Sequence, residues 1–109
     1  MITITLKKEG KALKQIIFHG HAMYDDYGKD IVCAGVSTIL TTTVNAILKF
    51  NDQAIELSQE KDIVLTVLSE DEVTSKLLEN MVELLYELEE SYPKNIAIRK
   101  RDNWWKKWF

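Results

Sequence analysis

Cysteine, proline and glycine are scarce in this chain of 109 residues, which contains one cysteine, one proline and four glycines. A single cysteine excludes the internal disulfides that stabilise many small secreted domains, and it fits a reducing compartment. So little proline and glycine argues against a disordered linker or a fibrous repeat. Hydrophobic residues make up 46% of the sequence and charged residues 28%, as is typical of a globular protein. We therefore expect one domain with a single buried core.

The sequence also lacks three features that would point to a membrane or to nucleic acid. No charged leader precedes a long apolar segment, and no uninterrupted apolar run reaches the ~20 residues that span a bilayer. The formal net charge is −3, whereas modules that bind duplex nucleic acid usually carry a basic surface. We therefore expect a cytoplasmic protein with no membrane segment and no direct contact with nucleic acid.

Hydrophobic periodicity predicts an α+β fold, a two-layer sandwich of a mainly antiparallel sheet with two principal helices. Apolar and polar residues alternate from Ile2 to Leu6, and apolar residues recur over 12–21, which predicts an antiparallel hairpin. Three shorter strands are predicted at 54–57, 63–68 and 96–99.

Two helices are predicted from apolar residues at helical spacing. The first follows Asp30, a good N-cap, and its residues are apolar nearly all round, so we expect it to be buried on most faces. The second follows a capping box formed by Ser69 and Glu72, and Pro93 ends it. Its predicted inner stripe is Val73, Leu77, Leu78, Met81, Leu84, Leu85, Leu88 and Tyr92, and its outer, solvated face carries Glu79, Glu83, Glu87 and Glu90.

The predicted domain covers residues 1–99, and residues 100–109 form a basic aromatic tail that holds all three tryptophans. Basic residues interleaved with aromatic ones are suited to stack on single-stranded nucleic acid, lie in a membrane interface or hold an apolar peptide. The simpler interpretation is that Trp104 or Trp108 packs over the sheet edge or at a homodimer contact. We favour the simpler interpretation.

The stretch from Gly20 to Ser37 contains the one cysteine, and it also contains one of the two histidines, with the other just before it. Cys33 falls in the first turn of the predicted helix, where unpaired N–H groups and the helix dipole favour a thiolate. His21, at the end of the preceding strand, is placed to accept the thiol proton and return it to a leaving amine. The N–H groups of the helix start are also suited to hold an oxyanion.

Two neighbours are candidates to support this pair. Asp30 is placed to orient His21, although capping the helix competes for the same carboxylate. Ser37 follows Cys33 by one helical turn and is placed to donate a hydrogen bond toward the sulfur or a substrate. Alternatively, it is an ordinary surface serine or one bonded back to the helix backbone.

The spacing of these residues alone leaves other interpretations open. A lone cysteine among apolar neighbours is often a small buried residue without chemistry. A zinc site would use His19, His21 and Cys33 with Asp25 or Asp26, because histidines that alternate along a strand share one face. The chain has no second cysteine and no familiar ligand spacing, so we expect no metal and no cofactor.

The same residues carry a resemblance to a known family. Gly20-His21-Ala22, followed by Gly28-x-Asp30-Ile31-Val32-Cys33-Ala34-Gly35-Val36-Ser37, closely resembles the motif of the ribosomal-processing cysteine protease family. The general layout agrees over about residues 1–99, and the tail is not part of the resemblance.

The resemblance implies a cytoplasmic, homodimeric endopeptidase without a cofactor. Its substrate would be the precursor of a large-subunit ribosomal protein, whose N-terminal extension it would remove by cutting after an aromatic residue. It also implies that Cys33 is the nucleophile, that His21 is the general base and acid, and that Gly20, Asp30 and Ser37 support them. Residues 23–29 correspond to the family's segment over the active site. The alternative is a non-enzymatic, ribosome-associated binding module.

Overall fold

The computed structural model describes residues 1–20 and 31–102. The elements in chain order are β1 (Ile2–Glu9), β2 (Ala12–His19), α1 (Ile31–Phe50), β3 (Ile55–Ser58), β4 (Ile63–Val67), α2 (Glu72–Ser91) and β5 (Ile96–Asp102). The strands form one five-stranded sheet in the order β3, β4, β2, β1, β5. All neighbouring pairs are antiparallel except β1 and β5, which are parallel. The predicted α+β fold, with a mainly antiparallel sheet and two helices, is confirmed.

The β1–β2 hairpin forms because alternate side chains of both strands reach the same core. Ile4 lies opposite Phe18 and Leu6 lies opposite Ile16, and all four are buried. Burying such a side chain contributes about 1.5–3 kcal/mol relative to leaving it in water. Strand β2 stops at His19, earlier than the predicted end at residue 21.

Helix α1 packs on the core through a single stripe of side chains. The buried residues of α1 are Val32, Cys33, Val36, Leu40, Thr43, Val44 and Ile47. Thr38, Thr41 and Asn45, on the other side, are exposed. The prediction that α1 is buried on most faces is wrong, because in a two-layer fold a helix meets the sheet and its neighbouring helix on one side only.

Within the described part of the chain, α1 is the one helix long and apolar enough to cross a membrane. The core helix of a soluble protein passes the same test of length and composition. Of its most apolar window, 39% is already buried inside the protein. Because that buried stripe contributes to the hydrophobic core, the helix is weak evidence for a membrane segment.

Helix α2 begins one residue after Asp71, which is its N-cap. A carboxylate oxygen of Asp71 accepts the backbone N–H of Thr74 at 2.8 Å, and the other accepts the hydroxyl of Ser69 at 2.6 Å. The prediction of a capping box that starts at Ser69 is therefore wrong. Ser69 instead holds the capping carboxylate in place, because Asp71 is the residue whose side chain reaches the first N–H groups of the helix.

The buried stripe of α2 is narrower than predicted and consists of Thr74, Leu78, Met81 and Leu85. Val73 and Leu84, both predicted to face inward, are 42% and 39% exposed. They flank the stripe on the helix surface, beyond the reach of the sheet. The acidic residues of the outer face are exposed as predicted.

Strand β5 forms one edge of the sheet and runs through Asp102, three residues into the segment that the sequence assigns to the tail. The side chain of Glu89 accepts the backbone N–H of Ile98 at 2.7 Å. Such a contact occupies a donor that an edge strand otherwise offers to other chains. The tryptophans of the predicted tail lie outside the described residues.

Candidate active site

Cys33 is the third residue of α1 and lies in the first turn of the helix, as the sequence predicts. It is 8% exposed and belongs to the hydrophobic core beside Val32 and Val36. The first turn contains no acidic side chain that would oppose a negative charge on sulfur. Since the first N–H groups of a helix have no acceptors within it, this position favours a thiolate.

Gly20 directly follows the last residue of β2, and its backbone conformation favours glycine. Its φ is +74°, and a Cβ atom built there would lie 2.8 Å from the carbonyl oxygen of Met1. A side chain would therefore be strained by the backbone conformation and would also collide with the start of β1. The glycine therefore fixes the point at which the chain leaves the sheet, one residue before His21.

The elements next to His21 and Cys33 in the sequence meet at one end of the domain. Gly35, two residues after Cys33, approaches Leu88 in the last part of α2, with an ideal Cβ 3.4 Å from Cδ2 of that leucine. The turn between α2 and β5 adjoins the start of β1, because the N–H of Ile2 donates to the carbonyl of Asn95 in that turn at 2.9 Å. Gly20 adjoins the same start of β1. The beginning of α1, the end of α2 and the end of β2 therefore converge.

Several predicted site residues lie outside the described residues. These are His21 and Asp30, residues 23–29, and Asp25 and Asp26 of the zinc hypothesis. The structure places Gly20, Cys33 and Ser37, and Ser37 is half-buried one turn after the cysteine. The pairing of His21 with Cys33 and the supporting role of Ser37 stay predictions.

His19 is held by a contact that the sequence analysis missed. Its Nδ1 lies 2.7 Å from a carboxylate oxygen of Asp62. Phe18 on β2 pairs with Ile63 on β4, so His19, the residue after Phe18, lies opposite Asp62, the residue before Ile63. Because Phe18 faces the core, this pair lies on the opposite face of the sheet. The register that produces this pair cannot be derived from local patterns. Among the described residues no three His, Cys, Asp or Glu side chains form a group able to hold a metal ion.

Comparison with known proteins identifies the family. The family model of cysteine protease Prp matches residues 1–97. This chain belongs to that family. The ribosomal processing cysteine protease Prp of Staphylococcus aureus is 32% identical over 101 residues, which cover 89% of this chain and 94% of the relative.

Three solved structures have the same fold. The S. aureus protein with a covalently linked product peptide superposes with a TM-score of 0.83 at 27% identity, covering 93% of this chain and 100% of that one. The same protein with a substrate peptide gives a TM-score of 0.82 at 26% identity with the same coverage. A Streptococcus mutans protein gives 0.80 at 28% identity, covering 94% of this chain and 96% of that one.

The chain is thus a cysteine protease, and the family resemblance carried by the motif around His21 and Cys33 is confirmed. Membership of a protease family decides against the alternative of a non-enzymatic binding module. The family match ends at residue 97, before the end of β5, so residues 98–109 lie outside it.

Proposed function

We propose that this protease removes the N-terminal extension of a large-subunit ribosomal protein, cutting after an aromatic residue. The S. aureus relative is a ribosomal processing cysteine protease, and 94% of its length is covered by the match. The motif from Gly20 to Ser37 lies inside the residues matched by the family model. This substrate class also favours a cytoplasmic location.

Cys33 is the nucleophile in this proposal, and its position carries the argument. A cysteine protease requires a thiolate, and the sequence contains one cysteine. That cysteine lies in the first turn of α1, where backbone N–H groups favour its negative charge. Nucleophile and oxyanion donors thus come from one short piece of backbone.

His21 is the general base and acid. The chain has two histidines, and His19 points its Nδ1 at Asp62 on the face of the sheet away from the core. His21 follows Gly20, whose contact with Met1 fixes the chain at the end of the domain where α1 begins. The carboxylate of Asp30 orients the imidazole or caps α1.

The reaction proceeds through an acyl-enzyme. The Cys33 thiolate attacks the scissile carbonyl carbon, and N–H groups at the start of α1 stabilise the charge that develops on oxygen. The C–N bond breaks as the protonated His21 gives its proton to the leaving amine, which leaves the acyl group on sulfur. His21 then takes a proton from water, whose oxygen displaces the thiolate and releases the acid product. The covalently linked product peptide of the S. aureus relative supports such a route.

A peptide series tests the substrate proposal. Peptides that span the processing site of a large-subunit ribosomal protein precursor would carry Phe, Tyr, Leu or Ala before the scissile bond. We expect efficient cleavage after Phe and Tyr and slow cleavage after Ala, measured as kcat/KM. Equal rates for all four would overturn the aromatic specificity, and failure to cut any of them would overturn the proposed substrate.

We also propose that the protein is a homodimer, as the family resemblance implies. Exposed apolar side chains available for such a contact lie at the two ends of α1, where Ile31 and Phe50 are 67% and 52% exposed. Sedimentation velocity should give the mass of two chains at micromolar concentration. A single-chain mass over the whole concentration range would contradict the dimer.

A further inference from the structure

A groove of about 610 Å³ opens between α2 and the turn end of the β1–β2 hairpin. Its apolar lining includes Leu6, Leu13, Val67, Leu78, Val82 and Tyr86. This volume is within the range of about 300–1,000 Å³ found for sites that bind drug-sized ligands. The groove is therefore large enough to take aromatic side chains.

The groove lies away from the proposed catalytic end. It is lined by Leu6 and Lys8, in the second half of β1, and by α2 residues from Ser75 to Tyr86. Gly20, in contrast, adjoins the first residue of the chain, and Gly35 approaches the later part of α2 at Leu88. A change in the groove can thus be tested without altering the residues assigned to catalysis.

Strand β5 leads directly to this groove. It runs parallel to β1, with Lys100 opposite Leu6 and Asp102 opposite Lys8, and both of these β1 residues line the groove. The next seven residues are Asn-Trp-Trp-Lys-Lys-Trp-Phe. Seven extended residues reach at most roughly 23–25 Å, so every one of them is within range of the groove.

Charges of both signs line the groove, with Lys8 and Lys11 on its hairpin side and glutamates on its α2 side. Glu79 and Glu83 line the groove, are exposed, and form no ion pair with another described residue. Glu70 also lines it but is paired with Lys14. Residues 103–109 carry two lysines, Lys106 and Lys107, among four aromatic residues. The aromatic residues of the segment therefore match the apolar lining, and its lysines match the acidic rim that Glu79 and Glu83 form on the α2 side of the groove.

We infer that residues 103–109 bind in cis in the groove between α2 and the β1–β2 hairpin, with aromatic rings on its apolar lining and lysines beside Glu79 and Glu83. This segment follows the end of the family match and is a feature of this chain beyond the protease core. Its binding covers an apolar surface and fastens β5, the edge strand, to α2.

Tryptophan fluorescence measures this binding selectively, because all three tryptophans lie in residues 103–109. With tryptophan excited selectively, we expect the folded protein to emit at shorter wavelength than the urea-unfolded protein and to be quenched several-fold less by acrylamide. Both properties should be independent of protein concentration. Emission equal to that of the unfolded chain would overturn the inference, as would a blue shift that disappears on dilution, which would indicate binding to a second copy.

A matched pair of variants locates the binding site. Val82→Glu places a charge in the groove, whereas Leu84→Glu places the same charge on an exposed position of α2 outside it. We expect the blue shift and the protection from acrylamide to be lost in Val82→Glu and kept in Leu84→Glu, with circular dichroism and peptidase activity unchanged in both. A blue shift kept in Val82→Glu would show that the segment binds elsewhere and would overturn the assignment.

Charge reversal tests the role of the acidic rim. The double variant Glu79→Lys, Glu83→Lys changes two groove residues, and Glu87→Lys, Glu90→Lys makes the same charge change outside the groove. The first pair should raise acrylamide quenching and the second should leave it as in the unmodified protein. Equal effects of the two pairs would contradict pairing between the lysines and the rim.

Discussion

The backbone of Gly20 lies so close to the carbonyl oxygen of Met1 that a Cβ atom at this glycine would be 2.8 Å from that oxygen. Real Cβ atoms do not approach backbone this closely, and the obstacle is main chain rather than a flexible side chain. The contact therefore holds the residue that follows β2 against the start of β1, one position before His21 in the sequence. We propose that Gly20 is thereby a positioning residue for His21, the proposed general base.

Replacing Gly20 by alanine should reduce both stability and activity. The left-handed φ alone costs a residue with a side chain about 1–2 kcal/mol, and the contact with Met1 adds to this cost. Gly10→Ala is the control, because Gly10 also has a positive φ, +64°, but a Cβ atom built there has no atom of the described residues within 4 Å. Urea unfolding should show a larger loss for Gly20→Ala, and kcat/KM should fall only in that variant. Equal loss of stability in the two variants would contradict the contact.

The N-cap of α2 should make stability depend on pH through Asp71. Its pKa is lowered, first by the hydrogen bond from Ser69 and then by that from the backbone N–H of Thr74. A carboxyl whose pKa is lower in the folded protein stabilises it above the unfolded pKa, and this contribution is lost as pH falls through the folded pKa. The protein should thus lose stability below about pH 4.

Asp71→Asn isolates this effect, because asparagine also caps a helix but does not titrate. Unfolding free energies measured from pH 7 to pH 2 should fall more steeply for the unmodified protein than for Asp71→Asn. Ser69→Ala should reduce the difference, since it removes the main cause of the lowered pKa. Parallel pH profiles for the unmodified protein and Asp71→Asn would contradict this role of the carboxylate.

The narrow buried stripe of α2 predicts losses of stability of very different size when its adjacent leucines are replaced by alanine. Leu85 is fully buried, so Leu85→Ala should destabilise the protein by about 2–5 kcal/mol. Leu84 is 39% exposed, and Leu84→Ala should change stability by no more than about 0.5–1 kcal/mol. Denaturant midpoints measure both. A loss for Leu84→Ala as large as that for Leu85→Ala would show that this side of the helix is covered.

Hydrophobic periodicity along the sequence correctly predicted the strand β1 and the helix α1. Alternation from Ile2 to Leu6 predicts β1, and the helical spacing after Asp30 predicts α1 with Cys33 in its first turn, because both patterns repeat along one element. Which sides of α1 and α2 are covered depends instead on their neighbours. The exposure of Thr38, Thr41 and Asn45 could not be derived from the apolar character of the helix alone.

Contacts between distant segments explain the rest of what the sequence did not predict. The His19–Asp62 pair follows from the register between β2 and β4, and the requirement for glycine at position 20 follows from the nearness of Met1. The N-cap of α2 is a local feature, but serine and aspartate both cap helices, so the sequence did not decide between Ser69 and Asp71. The assignment of His21 as general base and acid rests on its place after β2 and on its motif, and it stays a prediction.

Cleavage of the extended ribosomal protein precursor by single-residue variants tests the central assignment most directly. Cys33→Ala should abolish cleavage, and His21→Ala should lower it by roughly 10²–10⁴-fold, the usual contribution of a general acid–base residue. His19→Ala, the matched control, should retain activity because this side chain pairs with Asp62. Processing of the precursor by folded Cys33→Ala at the rate of the unmodified protein would contradict the assignment of Cys33 as the nucleophile.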